Sequence, residues 1–239
     1  MPWNSNEVIR KNRGVMNRAF RLPASSLKLA VFDVDRTLVR RTSCEMQLVR
    51  YLRTKGLLGW TDYCRVLMNL FNLSNGFHET VLRNKVYLHG IPKKTILALL
   101  PDFFETCLRP RLSSRGMEWM SHLRKRGFFV LLISGTLDFI VDYLVESLDA
   151  DEGAGSTMEI RDHVYTGRVL GPLPWLKGKL EILEGCLRGR TVDYGRSFCF
   201  ADSWADIPLL SRFGRPVAMN PGCILYWAAM IRGWKVIRG

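Results

Sequence analysis

Two runs of continuous apolar residues, LKLAVF at 27–32 and GFFVLLIS at 127–134, constrain this chain more than any other feature. Each is short, bounded by polar residues or glycine, and apolar on both sides of a strand, so each must be covered on both faces. Strands of a parallel sheet meet that condition. Roughly 90 residues separate the two runs, with no convincing strand among them. Instead MQLVRYL (46–52), YCRVLMNLF (63–71), TILALLPDFFETCL (95–108) and MEWMSHL (117–123) repeat apolar positions at helical spacing. That is far more chain than one crossover helix needs. The pattern predicts an α/β fold whose sheet is built from residues 26–40 and 126–239, with an all-helical insertion over 41–125. Residues 156–171 read as a pair of strands, and SFCFA (197–201) and PVAMN (216–220) as two further strands.

Composition narrows the function classes. Of 239 residues, 47% are apolar and 24% charged, as in an ordinary globular protein. Six scattered cysteines form no CxxC and no cluster with histidine. This argues against structural zinc and a disulfide framework and fits a reducing, cytoplasmic setting. The N-terminus lacks the apolar core of a signal peptide, and the longest wholly apolar run, Cys223–Ile231, has about half the length a bilayer span needs. No transmembrane segment is expected. Peripheral contact with a membrane or with nucleic acid stays open, and CILYWAAMIRGWK (223–235) is read chiefly as a core-packing helix.

The net charge of +13 is unevenly placed. Residues 1–128 hold 23 basic and 9 acidic side chains, residues 129–239 hold 12 and 13. Either the excess is a solvated face, or it is a field that draws anions. Residues 1–25 carry five of the basic side chains and one acid. They read as a basic extension, with an amphipathic helix or an Arg-rich leader as alternatives.

Chemistry is expected at the carboxyl ends of the strands. The first strand runs into Asp33-Val34-Asp35, two carboxylates on the same side of the chain, which repel unless a cation joins them. The second runs into Ser134-Gly135-Thr136 and then an amphipathic helix, so a hydroxyl and backbone N–H groups face a site suited to an oxyanion. WLKGKLEILEG offers Lys179 at the start of a helix, with Lys177 as its competitor. In ADSWADIPLL, Asp202 follows a short apolar strand and Asp206 follows four residues on, so that both acids can converge on a hard cation such as Mg²⁺. Singly, each motif has an ordinary structural explanation in turns, caps or solvated charge. Together they supply acids, a hydroxyl, a lysine and a metal site at successive strand ends.

In that order DVDRT, the SGT after LLI, Lys179 and DSWAD resemble the four motifs of the haloacid dehalogenase (HAD) superfamily, over roughly residues 27–237. The helical insertion resembles that superfamily's C1 cap. KVYLHG, LISGTLDFIVDYL and DIPLLSRFGRPVAMNP give the chain the look of the phosphoserine-phosphatase-like branch. The resemblance implies a Rossmann-like core and a Mg²⁺-dependent phosphomonoester phosphatase. Asp33 would be the nucleophile and Asp35 the general acid–base, with its backbone carbonyl on the metal. Thr37, Ser134 and the Gly135 amide would hold the phosphoryl group, Lys179 would pair with Asp33 and phosphate, and Asp202 and Asp206 would complete the metal site. The superfamily's usual glycine after the second aspartate is Arg36 here, and Ala201 stands where glycine commonly precedes Asp202. The cap glutamate of phosphoserine phosphatases falls at Thr42, with Glu45 as the nearest stand-in. The cap arginine falls at Lys85, beside Arg83. A cap richer in cations suits a small, more anionic phosphomonoester rather than phosphoserine alone. Two alternatives remain from the residues themselves: a phosphatase for lipid phosphates or nucleic-acid ends, and a non-enzymatic basic binding protein on the same scaffold.

Overall fold

A computed structural model describes residues 26–61, 64, 66, 68 and 83–238. The basic extension 1–25 and most of the predicted helix 63–71 lie outside the described residues.

The strands are β1 (Leu29–Phe32), β2 (Phe129–Leu137), β3 (Glu152–Arg161), β4 (Val164–Leu170), β5 (Phe198–Ala201), β6 (Arg215–Met219) and β7 (Lys235–Ile237). They form one sheet in the order β4-β3-β2-β1-β5-β6-β7, parallel throughout except for the antiparallel β3–β4 hairpin. The chain therefore reverses its direction of travel across the sheet between β2 and β5, on either side of β1. Such a switch point opens a crevice at the carboxyl ends of the strands.

The two long apolar runs are central because both faces are covered. Ala30 and Phe32 of β1, with Val130 and Leu132 of β2, enter one buried cluster. Leu29 and Val31, with Phe129, Leu131 and Ile133, enter the other. This is the alternation expected of a strand buried on both sides. Helices α1 (Cys44–Thr54), α2 (Lys93–Phe103) and α3 (Ser114–Lys125) come from the predicted insertion, and α4 (Asp138–Ser147) follows β2. On the second face lie α5 (Lys177–Cys186), α6 (Ile207–Leu210) and α7 (Cys223–Ile231).

The structure refines four expectations. First, α3 packs directly on the sheet, its Trp119 ring lying 5.9 Å from Phe198 and 5.5 Å from Phe200, in the layer where Phe200 stacks on Phe32 at 4.3 Å. Second, 134–136 belong to β2 itself: the register against β3 shifts between Ile133 and Leu137, so the Ser-Gly-Thr triplet sits in an irregularity of the strand. Such bulges re-aim side chains next to functional sites. Third, α7 is only half a core helix. Leu225 and Ala229 are fully buried, whereas Trp227 and Ile231 are 65% and 84% exposed. Fourth, β7 had too short a signal to be read from sequence. Among the described residues no helix is long and apolar enough to cross a membrane.

Candidate active site

The backbone that leaves β1 is held by its neighbour and by its own turn. The Asp33 N–H donates to the Phe200 carbonyl of β5 at 2.9 Å, and the N–H groups of Leu38 and Val39 both donate to the Val34 carbonyl at 2.9 Å. That tight loop brings Thr37 back over Asp33, and the Thr37 hydroxyl donates to Asp33 Oδ2 at 3.1 Å. The other carboxylate oxygen, Oδ1, accepts from Lys179 Nζ at 2.7 Å.

Lys179 reaches this point from the first turn of α5. Gly178 before it is required by close approach, since a Cβ there would meet the Leu173 carbonyl oxygen at 2.0 Å. Lys179 is buried and Lys177 exposed, which decides between the two lysines. The Lys179 ammonium also pairs with Asp206 Oδ1 at 2.6 Å. Asp206 closes the short turn Trp204–Asp206 after β5, in which Ser203 Oγ accepts from the Ala205 N–H, and Pro208 sits in the first turn of α6. Asp202 stands at the end of β5, where its carbonyl accepts from the Gly222 N–H at 3.1 Å. At the edge of this group the Trp175 and Trp204 rings meet edge to face, 6.0 Å apart at 81°.

Asp33, Asp202 and Asp206 are buried, and their carboxylate oxygens lie within 4.8 Å of one another. Burial, and then the neighbouring Asp206 and Asp202, push Asp33 up to about 8 against the pull of Lys179. Asp202 rises to about 6, again through burial and Asp206, with Arg36 acting the other way. Burial alone would lower the Lys179 ammonium, but Asp33 and Asp206 outweigh it and hold the lysine charged. Three buried acids against one buried lysine leave an excess of negative charge, made of hard oxygen donors. The set fits a divalent oxygen-seeking cation such as Mg²⁺.

Asp35 is outside this cluster. Its Oδ1 accepts from the Cys44 N–H at 2.7 Å, in the first turn of α1. Burial raises its pKa, the Cys44 N–H lowers it, and Glu45 raises it again. The two aspartates of the motif are thus separated in environment as well as in position.

Ser134 is fully buried, with its Oγ accepting from the Thr136 N–H at 3.1 Å. Gly135 is exposed, and its carbonyl accepts from the Ser156 hydroxyl at 2.8 Å. Behind the bulge, Asp138 takes the N–H groups of Phe139 and Met158, tying α4 to β3.

The sequence singled out Arg36, Glu45, Lys85 and Arg83, but not the groups they pair with. Arg36 holds φ +61°, the left-handed region that favours glycine, which explains why glycine suits that position. Its side chain turns the substitution to use, with Nε 3.1 Å from Asp202 Oδ2. Lys85 is buried, with Nζ 2.6 Å from Glu45 Oε2, and the Tyr87 hydroxyl donates to Glu45 Oε1 at 2.8 Å. Arg83 lies elsewhere, its guanidinium donating to the carbonyls of Val169 and Gly171 at the end of β4. Here Gly167, at φ +80°, lets β4 meet the 85–86 backbone, for a Cβ would lie 2.8 Å from the Val86 Cα.

Residues 30–211 match the family model of the haloacid dehalogenase-like hydrolases, most of the chain, and the protein belongs to that family. It is therefore a hydrolase, and the reading as a non-enzymatic binding protein gives way. Among curated relatives, a histidinol-phosphatase of Neisseria meningitidis is 28% identical over 87% of this chain and 97% of its own length. A phosphoserine phosphatase of Mycobacterium tuberculosis is 24% identical over 90% of this chain and 71% of its own. Among solved structures, a Bordetella pertussis protein of unknown function superposes with a TM-score of 0.77 at 26% identity, covering 89% of this chain and 99% of that one. A phosphoserine phosphatase solved as a phospho-aspartyl intermediate analogue shares the fold, with a TM-score of 0.62 at 19% identity, over 90% of this chain and 94% of its own.

Proposed function

We propose that the protein is a Mg²⁺-dependent phosphomonoester phosphatase that works through a covalent intermediate on Asp33. The observation that carries this reading is the Asp33 carboxylate. It is buried at the switch point of a parallel sheet, with one oxygen fixed by Lys179 and the other by Thr37. The relatives named as phosphatases of histidinol phosphate and phosphoserine support the substrate class.

In this mechanism an Asp33 oxygen attacks phosphorus, forming an aspartyl-phosphate as the ester P–O bond breaks. Asp35, whose proton affinity is raised by burial, gives its proton to the leaving oxygen. Asp35 then takes a proton from water, whose oxygen attacks phosphorus, releases inorganic phosphate and restores Asp33. Lys179 keeps Asp33 oriented and offers its positive charge to the transferring group, and the Thr37 hydroxyl fixes the second oxygen. Ser134 and the Gly135 amide receive the phosphoryl oxygens. Asp33, Asp202, Asp206 and the Asp35 carbonyl would hold Mg²⁺, which would supply positive charge against the charge that develops on the phosphoryl group.

The domain division goes with this reading. Residues 26–40 and 126–239 form the catalytic core, 1–25 a basic extension, and the helical cap begins near 41. The contacts of α3 with Phe198 and Phe200 favour counting that helix with the core rather than ending the cap at 125. Of the cap residues, Lys85 is assigned to substrate recognition, whereas the Arg83 guanidinium is bonded to the end of β4 and buttresses the cap. Because Lys85 is already joined to Glu45, the cap wall presents a bonded ammonium–carboxylate pair rather than a bare cation. The substrate is thus a small phosphomonoester not restricted to phosphoserine.

Phosphate release from an aryl phosphate tests the reading. Turnover should require Mg²⁺ and vanish in Asp33→Asn. Wild-type rates in excess EDTA would exclude the metal, and undiminished activity in Asp33→Asn would exclude the nucleophile.

A further inference from the structure

A second concentration of charge, opposite in sign to the acid cluster, lies where the two segments joining the sheet to the insertion run side by side. Val39 and Leu112 form an antiparallel bridge, and the Arg40 N–H donates to the Arg111 carbonyl at 2.8 Å. Against these segments and α1 opens a cavity of about 380 Å³, lined by Arg40, Arg41, Arg50 and Arg111 together with Thr42 and Gln47. No acidic residue lines it, and none of Asp33, Asp35, Ser134, Lys179, Asp202 or Asp206 does.

Several arginines of the described surface are already neutralised. Arg109, Arg124, Arg161, Arg190 and Arg196 each pair with a carboxylate. Among the described residues, no carboxylate pairs with the Arg40, Arg41 or Arg50 side chain. The nearby acids are already engaged, Glu105 by Arg109 and Glu45 by Lys85. The Arg111 guanidinium is fixed by a bond to the Cys107 carbonyl at 2.6 Å, and the buried Gln47 amide donates to Thr42 Oγ1 at 2.8 Å, while the Thr42 hydroxyl donates to the Ser43 carbonyl at 3.4 Å. Four like charges around one concavity repel one another, and an anion removes the repulsion while filling their planar forks. The volume is in the range of small-molecule sites.

We propose that this cavity is a binding site, separate from the catalytic one, for a small anion that carries two or more phosphate groups. Four guanidinium groups match three or four negative charges, which a single phosphate does not supply. Because the walls come from both joining segments and from α1, the bound anion also ties the insertion to the core.

Calorimetric titration of the full-length protein with inorganic tripolyphosphate in EDTA tests this apart from any turnover. Wild type should bind, and inorganic phosphate should bind at least about tenfold more weakly. Arg41→Gln/Arg50→Gln should lose at least about tenfold in affinity. Arg41→Lys/Arg50→Lys, which keeps the charge and removes the forks, should lose less. Ser134→Ala should bind as wild type does. Aryl phosphate turnover and melting temperature of the Gln variant should match wild type, showing that it is folded. The proposal fails if wild type does not bind tripolyphosphate, if the Gln variant binds it equally well, or if Ser134→Ala alone abolishes binding. The last result would place the anion at the catalytic centre.

Discussion

Two buried ion clusters can be compared side by side, one at the ends of the sheet and one in the insertion. In the first, Lys179 is shared between Asp33 and Asp206, and the exposed Arg36 reaches Asp202, so three buried acids face two cations, one of them buried. In the second, Lys85 faces Glu45, and neutral Tyr87 occupies the remaining carboxylate oxygen. The second is balanced in charge. The first is not. Folding gains nothing from an unbalanced buried cluster, since each surplus charge costs desolvation and repulsion. The imbalance is therefore the mark of something that binds there, whereas the balanced trio needs no bound ion to offset its charge. The arginine cavity is the same rule with the sign reversed.

The comparison breaks most visibly at Asp33. Asp33→Asn should abolish phosphate release yet leave the metal-free protein as stable as wild type or more so, because it removes one of the repelling acids. A calorimetric melt in EDTA that showed a large loss of stability would mean the cluster is not overcharged. The next effect is at Asp35. Asp35→Asn should slow turnover by ~10²–10⁴-fold, the usual contribution of a general acid–base, with the smallest loss for good leaving groups. An equal loss on aryl and alkyl phosphates would count against Asp35 as the acid. In the balanced trio the response should be opposite to that of Asp33. Lys85→Gln strips a buried partner from Glu45 and should cost about 3 kcal/mol of stability, the lower end for a broken buried pair because Glu45 keeps some contact with solvent. Its KM for anionic substrates should rise while kcat on a small aryl phosphate hardly moves.

The smallest effect concerns pH. Asp33 at about 8 and Asp202 at about 6, with Asp138 at about 7 and Asp142 at about 6 in α4, are all raised first by burial. Raised carboxylates mean that the folded chain holds more protons than the unfolded chain between roughly pH 4 and pH 8. Stability must then fall as pH rises through that window. The melting temperature in EDTA should decline from pH 5 to pH 8, and Mg²⁺ should lessen the decline by replacing protons at Asp33 and Asp202. A flat profile in EDTA would remove the case for an overcharged site.

The central strands and the acids at their carboxyl ends were legible because their signals are local. LKLAVF followed at once by Asp33 and Asp35 needs no distant information, and neither does the run from Phe198 to Asp206. Lys179 could be singled out only by its place at a helix start; burial, which sequence does not display, separated it from Lys177. Pairs formed across the insertion were not legible at all. Glu45 and Lys85 are 40 residues apart on elements without a shared pattern, and Arg40 and Arg111 meet only because two joining segments run together. The half-exposed face of α7 misled for a different reason. Its residues are apolar all round, so the pattern marks no side as outward.

The Trp175–Trp204 pair at the edge of the acid cluster has an optical consequence. Two indoles held edge to face at 6.0 Å couple their electronic transitions, and the sign and size of that coupling follow their mutual angle. One ring stands four residues before Lys179 and the other two residues before Asp206. Any small rotation of the α5 entry against the Trp204–Asp206 turn should therefore alter the near-ultraviolet circular dichroism and the fluorescence of the protein, giving the site a built-in gauge of its own alignment.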